Sequence, residues 1–143
     1  SDHQILLLDK ISEMIKEGEP IKLMIIDSLT AHFRAEFTGR GQLADRQQKL
    51  NRYIHQLMKL AETYNLAVYV TNQVMANPAQ MFGDPTTAIG GHIVGHASTY
   101  RLYLRRGKAG SRVAKLIDSP NLPDNETIFF VTEAGVVDGK EEE

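Results

Sequence analysis

Four apolar residues closed by an acid, Leu23 to Asp27, are the first part of this sequence with chemical content. An unbroken apolar run of that length suits a strand buried on both faces, as in a parallel sheet. A carboxylate at its end is a hard oxygen donor of the kind magnesium takes along with water and substrate phosphates. The pattern has the form of a Walker B strand, with Asp27 holding magnesium through its water shell. An acid at a strand end also serves as a cap, here over a short turn through Ser28 and Thr30. A second apolar run, Ala67 to Thr71, stops just before the amides Asn72 and Gln73.

Other residues invite chemistry with less support. Arg40 stands between Gly39 and Gly41 in the stretch Arg34 to Arg40. Flanking glycines let the backbone come close to phosphate while the guanidinium reaches bases or phosphates; a plain flexible connection is the competing reading. Arg101, Arg105, Arg106, Lys108, Arg112 and Lys115 lie in a stretch without an acid. That is either a solvated hairpin or a contact with DNA phosphate. His92 and His96 have the i, i+4 spacing of a zinc pair, but no convincing third ligand accompanies them. They suit polar positions near a nucleotide or a subunit interface better. His3, His32 and His55 carry no motif. A phosphate-binding loop needs G-x-x-x-x-G-K-S/T between a strand and a helix. None is present: Gly107-Lys108 is followed by Ala109, and Gly139-Lys140 by Glu141.

The elements that must position these groups follow from periodicity. A helix capped by Asp2 and running to about Glu17 carries Leu7, Ile11 and Met14 at i, i+4 and i+7 and stops at Gly18 and Pro20. A longer helix from about Gln42 to Tyr64 repeats Leu43, Leu50, Ile54, Leu57, Ala61 and Tyr64. Strand, helix and strand in that order form a crossover unit with parallel strands. Ligands of open α/β sheets sit beyond the C-terminal strand ends, which is where Asp27 and Asn72-Gln73 fall. Val74 to Gly91, rich in Gly, Pro and polar residues, reads as a long loop of the kind that is functional or mobile. After a short turn of helix, Ser98 to Arg105 and Arg112 to Asp118 read as a hairpin around a G-K-A-G turn, and Thr127 to Val131 as a last strand.

Composition bounds the class. The chain has 143 residues, of which 42% are hydrophobic and 24% charged, values of an ordinary globular domain. The absence of cysteine removes disulfides, thiolate zinc sites and cysteine nucleophiles. A net charge of -2 argues against coating nucleic acid through global electrostatics, so any DNA contact must come from local patches. No apolar run approaches the ~20 residues that span a bilayer, and the expected location is intracellular. The chain opens on Ser1 without a secretory pattern and reads as a fragment.

Taken in order, I-I-D-S-L-T-A-H-F-R at Ile25 to Arg34, G-R-G-Q-L-A-D-R-Q-Q-K-L at Gly39 to Leu50, V-T-N-Q-V at Val70 to Val74, G-D-P-T-T-A-I-G-G-H at Gly83 to His92 and L-I-D-S-P-N-L-P at Leu116 to Pro123 closely resemble archaeal RadA recombinases of the RecA family. The resemblance covers the chain up to its acidic tail. It implies an α/β fold, a RecA-like mostly parallel sheet with flanking helices and a C-terminal antiparallel hairpin, with the P-loop half absent. Residues 1–138 would be the C-terminal half of the ATPase core and 139–143 a disordered tail.

The resemblance also implies roles. Asp27 matches the Walker B carboxylate with Ser28 beside it, and Gln73 the catalytic glutamine that senses the γ-phosphate. Arg34, Gly39, Arg40 and Gly41 fall in the first DNA-binding loop; Val74, Met75, Phe82, Gly90 and Gly91 fall in the second. His92, His96, Asp118, Ser119 and Pro120 would cover the nucleotide of an adjacent protomer, with Asp118 helping to hold a monovalent cation such as potassium. Leu7, Ile11 and Met14 would wall a groove for a neighbour's phenylalanine, or else face this domain's own core.

The expected function is that of the parent protein: an ATP- and magnesium-dependent strand-exchange recombinase acting in recombination and repair. Its partners would be single- and double-stranded DNA, further copies in filaments or rings, and recombination mediators, with no membrane. It would be cytoplasmic and nucleoid-associated. The parent would be a DNA-dependent ATPase, and this chain alone inactive for want of a Walker A motif. The alternatives are a RecA-fold motor of another kind, or an interaction module that caps or inhibits filaments.

Overall fold

A computed structural model of the chain describes residues 2–29, 43–76, 86–88 and 100–139. They fall into two compact units, residues 1–97 and 98–143.

The first unit begins with helix α1 (Asp2–Lys16), whose ends carry charges that complement the helix dipole, Asp2 in the first turn and Lys16 in the last. Gly18, at φ +103°, ends it. There the Gly18 amide donates to the Ile15 carbonyl and the Glu19 amide to the Met14 carbonyl, both at 3.0 Å, the paired bonds of a Schellman cap. Strand β1 (Leu23–Ile26), helix α2 (Leu43–Tyr64) and strand β2 (Ala67–Val70) follow. Asn65, at φ 51°, closes α2 in the left-handed conformation, and the Leu66 amide reaches back to the Ala61 carbonyl at 3.1 Å.

One apolar cluster holds the unit together: Leu8 of α1, Met24 of β1, Leu29, Leu66, and Leu50, Tyr53, Ile54, Leu57 and Leu60 of α2. From Leu50 on, the helical stripe of α2 read from the sequence is thus its core face, with Ala61 and Tyr64 packed at the edge; the Leu43 side chain lies outside the described ones. Polar contacts also join the helices. Ser12 Oγ and the Tyr64 hydroxyl lie 2.9 Å apart, and Lys49 Nζ lies 3.4 Å from Asp2 Oδ1.

Strands β1 and β2 pair in parallel, from Leu23 opposite Ala67 to Ile26 opposite Val70. Burial of β1 on both faces, the sequence expectation, is not what the fold provides. Met24 is buried, but Leu23 is 54% and Ile25 62% exposed, as is Tyr69 of β2 at 53%. Ile26, Val68 and Val70 join Met24 on the side of the core cluster, so α1 and α2 cover one face of the pair and leave the other open. The stripe on α1 also differs from the expectation. Leu8 is its buried residue and Ile11 packs against the core, whereas Leu7 and Met14 are exposed. Within Val74 to Gly91, expected to be loop throughout, β3 (Val74–Ala76) pairs antiparallel with β4 (Thr86–Ala88). Val, Thr and Thr favour extended backbone strongly enough to form this short ladder inside a polar stretch.

The second unit is a four-stranded antiparallel sheet in the order β5 (Arg101–Arg106), β6 (Arg112–Asp118), β7 (Asn125–Thr132) and β8 (Gly135–Val137). The expected hairpin is β5–β6, closed by a 3-10 turn at Lys108–Gly110. Ser111 organises that turn: its hydroxyl donates to the Lys108 carbonyl at 2.6 Å, and the Gly107 amide donates to the Ser111 carbonyl at 2.9 Å. The last expected strand extends into the longer β7, and three-residue β8 is too short to show a period. A parallel pair with flanking helices and an antiparallel C-terminal sheet agrees with the expected RecA-like α/β class. The expected turn of helix before Ser98 and residues 140–143 of the tail lie outside the described residues.

Candidate nucleotide and nucleic-acid site

The register of β1 and β2 decides where the chemistry sits. Because the strands are parallel and in step up to Ile26 and Val70, the chain leaves both at the same end, carrying Asp27 on one side and Thr71 on the other. Thr71 Oγ1 donates to Asp27 Oδ1 at 2.6 Å. Its backbone is tied to the same segment twice: the Thr71 amide donates to the Ile26 carbonyl at 2.9 Å, and the Thr71 carbonyl accepts from the Leu29 amide at 2.8 Å. Gln73 follows two residues later, exposed, and β3 begins at the next residue.

Asp27 is exposed, and the peptide bond joining it to Ser28 is cis. The Ser28 hydroxyl oxygen is buried and has no hydrogen-bond partner among the described residues. Magnesium keeps several waters and is usually held through one or two carboxylates together with substrate phosphates. A solvent-facing carboxylate with one oxygen already fixed by a hydroxyl, beside an unsatisfied serine oxygen, fits that demand.

In the second unit Asp118 ends β6, and Ser119 and Pro120 begin the turn that follows. The Ser119 hydroxyl accepts from the amides of Asn121 at 3.3 Å and Leu122 at 3.0 Å, which fixes the turn. The Tyr100 hydroxyl reaches Asn121 Oδ1 at 3.4 Å. Of the basic residues in this sheet, Arg105 lies 3.6 Å from Glu126. Arg106, Lys108 and Lys115 are exposed. Val74 and Met75 lie in β3, and Leu7 and Met14 on the solvent side of α1. Arg34, Gly39, Arg40, Gly41, Phe82, Gly90, Gly91, His92 and His96 lie outside the described residues.

The sequence drew attention to Asp27 and Gln73 but passed over Thr71. The signal was available: two apolar runs of similar length joined by a helix place their last residues opposite each other, so the residue facing Asp27 could be counted out. Tyr100 and Asn121 gave no such signal, since they lie 21 residues apart with no period linking them.

Among the described residues no helix is long and apolar enough to cross a membrane. Comparison with known proteins gives two findings. The sequence is 59% identical over 140 residues to the DNA repair and recombination protein RadA of Methanocorpusculum labreanum, an alignment covering 95% of this chain and 43% of that protein. The chain therefore spans less than half the length of this relative. The sequence model of the Rad51 family matches residues 1–139, and with nearly the whole chain inside that match, this protein belongs to the Rad51 family.

Proposed function

We propose that this chain is the C-terminal part of the ATPase core of a DNA strand-exchange recombinase, which forms filaments on single-stranded DNA, pairs it with a homologous duplex and exchanges strands with ATP and magnesium. One observation carries the reading: two parallel strands end together and place a hydroxyl-braced carboxylate, Asp27, beside the segment that leads through Gln73 into β3. Asp27 and Ser28 are the groups that would hold hydrated magnesium. Bound magnesium neutralises negative charge on the phosphates of the nucleotide. Gln73 reads the terminal phosphate and, being the residue before β3, passes its position to Val74 and Met75 on the DNA side. Arg34, Gly39, Arg40 and Gly41 make the first DNA contact, with Phe82, Gly90 and Gly91 completing the second.

Asp118, Ser119 and Pro120 cover the nucleotide of a neighbouring protomer, and Asp118 also holds a monovalent cation, potassium; a nucleotide-covering role is proposed separately for His92 and His96. The exposed Leu7 and Met14, with Ile11 between them, are one wall of a groove that receives a neighbour's phenylalanine. The 143 residues contain no P-loop, so hydrolysis belongs to the longer protein. Support for the biological role comes from family membership and from the recombination relative.

The test is strand exchange between single-stranded DNA and a homologous duplex by a full-length recombinase carrying this segment. Arg40→Ala should weaken DNA binding roughly tenfold and depress exchange while nucleotide affinity holds. A protein that hydrolyses ATP on DNA yet never pairs homologous strands would belong instead to another kind of RecA-fold motor.

A further inference from the structure

We propose that Thr71 is a positioning residue for the magnesium-binding carboxylate, and that its hydroxyl fixes which oxygen of Asp27 faces the metal. The inference rests on the reading of Asp27 given above. An unbraced aspartate at a strand end rotates about its side-chain torsions, and both oxygens are then presented in turn. Here one oxygen, Oδ1, accepts a 2.6 Å bond from Thr71 Oγ1, which leaves Oδ2 as the freer donor. A hydroxyl-to-carboxylate bond of this length is charge-assisted and among the stronger kinds.

The brace is itself rigid. Thr71 is fastened on both sides of Asp27, to the carbonyl of Ile26 and the amide of Leu29, so the hydroxyl has little freedom to follow a moving carboxylate. Leu29 is almost wholly buried, at 2% exposure, and anchors the far side of this clamp in the core. The neighbouring Ser28 hydroxyl makes no bond with the described residues, so it does not compete for Asp27. Partners one step removed from a metal ligand orient it, and removing them typically lowers metal affinity by about 10–100-fold. Because Asp27 is exposed, the lower end of that range applies.

Thr71 also lies two residues before Gln73. One short segment therefore holds the carboxylate and carries the amide, so the position of Asp27 and the base from which Gln73 extends would be linked through Thr71.

The experiment uses the full-length recombinase carrying this segment and measures retention of a fluorescent ATP analogue across a magnesium titration, with thermal denaturation of each variant alongside. Thr71→Val keeps β-branching and both backbone bonds and deletes only the hydroxyl; it should raise the half-saturating magnesium concentration roughly tenfold. Thr71→Ser restores the hydroxyl and should recover most of the loss. A Thr71→Val curve that overlays the wild type, or a Thr71→Ser variant as impaired as Thr71→Val, overturns the proposal. Asp27→Asn runs beside them: if it leaves the magnesium response intact, the assignment of Asp27 fails and the brace fails with it. If it abolishes the response while Thr71→Val is silent, the Asp27 assignment stands and only the brace is lost.

Discussion

Ser28 carries a buried hydroxyl oxygen with no described partner, and such an atom costs stability through desolvation without return. Ser28→Ala should therefore leave the unfolding free energy unchanged or raise it by up to about 1 kcal/mol, as read from urea denaturation. A loss of more than that would mean the hydroxyl is satisfied within the protein and is not held open for a ligand. Tyr53 poses the opposite case. It is a core residue, and burial pushes its phenol above the ordinary value of 10.0, because the anion is disfavoured away from water. A pKa raised in the folded state leaves stability intact below the unfolded value and removes it as pH climbs through the folded one. The chain should thus lose stability progressively above about pH 10, and Tyr53→Phe should flatten that loss. Melting temperatures followed into the alkaline range check this; a slope identical in the variant would assign alkaline unfolding to other groups.

At the scale of elements, caps and stripes decide most of what folds. Gly18 has nothing within 4 Å of where a side chain would begin, so space does not demand glycine there; its φ of +103° does. Gly18→Ala should cost about 1 kcal/mol, visible as a lower denaturation midpoint with the slope unchanged. Leu50, exposed by only 1% in the middle of α2, should cost about 2–5 kcal/mol on truncation to alanine. A smaller loss would mean that the cluster around it collapses to fill the space. The same elements explain what could be read in advance. In α2 the apolar residues recur on one stripe with polar residues between them, so Leu50, Ile54 and Leu57 identify the core face without ambiguity. In α1 the run Ile5-Leu6-Leu7-Leu8 supplies apolar residues on every side of one turn, and period alone cannot choose among them. Packing chose Leu8 and left Leu6 and Leu7 outside. The β3–β4 ladder was illegible for a related reason: three residues a side are too few to show alternation.

The whole molecule explains why a strand read as doubly buried is covered once. The inference from an unbroken apolar run to a two-sided strand is sound for a complete parallel sheet, and Leu23, Ile25 and Tyr69 have the residue types it requires. In this chain two helices serve one face, and the chain spans 43% of its recombination relative. The placement of Asp27 and Gln73 just past the strand ends depends only on β1 and β2 running in step, which is why those positions were legible while the surroundings of the strands were not. The open face has a consequence for the chain in solution. Leu23, Ile25 and Tyr69, all more than half exposed and joined by the parallel register, make a contiguous apolar surface. Surfaces of that kind associate. The 16.0 kDa chain should therefore sediment as a concentration-dependent oligomer. Ile25→Lys combined with Tyr69→Lys should shift it toward monomer, because two cations on one face both repel and hydrate. Since neither side chain supports the core, the melting temperature of the double variant should fall little. Met24→Ala, on the covered face of the same strand, should destabilise by about 2–5 kcal/mol. If the double variant keeps the oligomer of the parent chain, association runs through another surface; if it unfolds, the face is already covered and the two side chains are part of the packing.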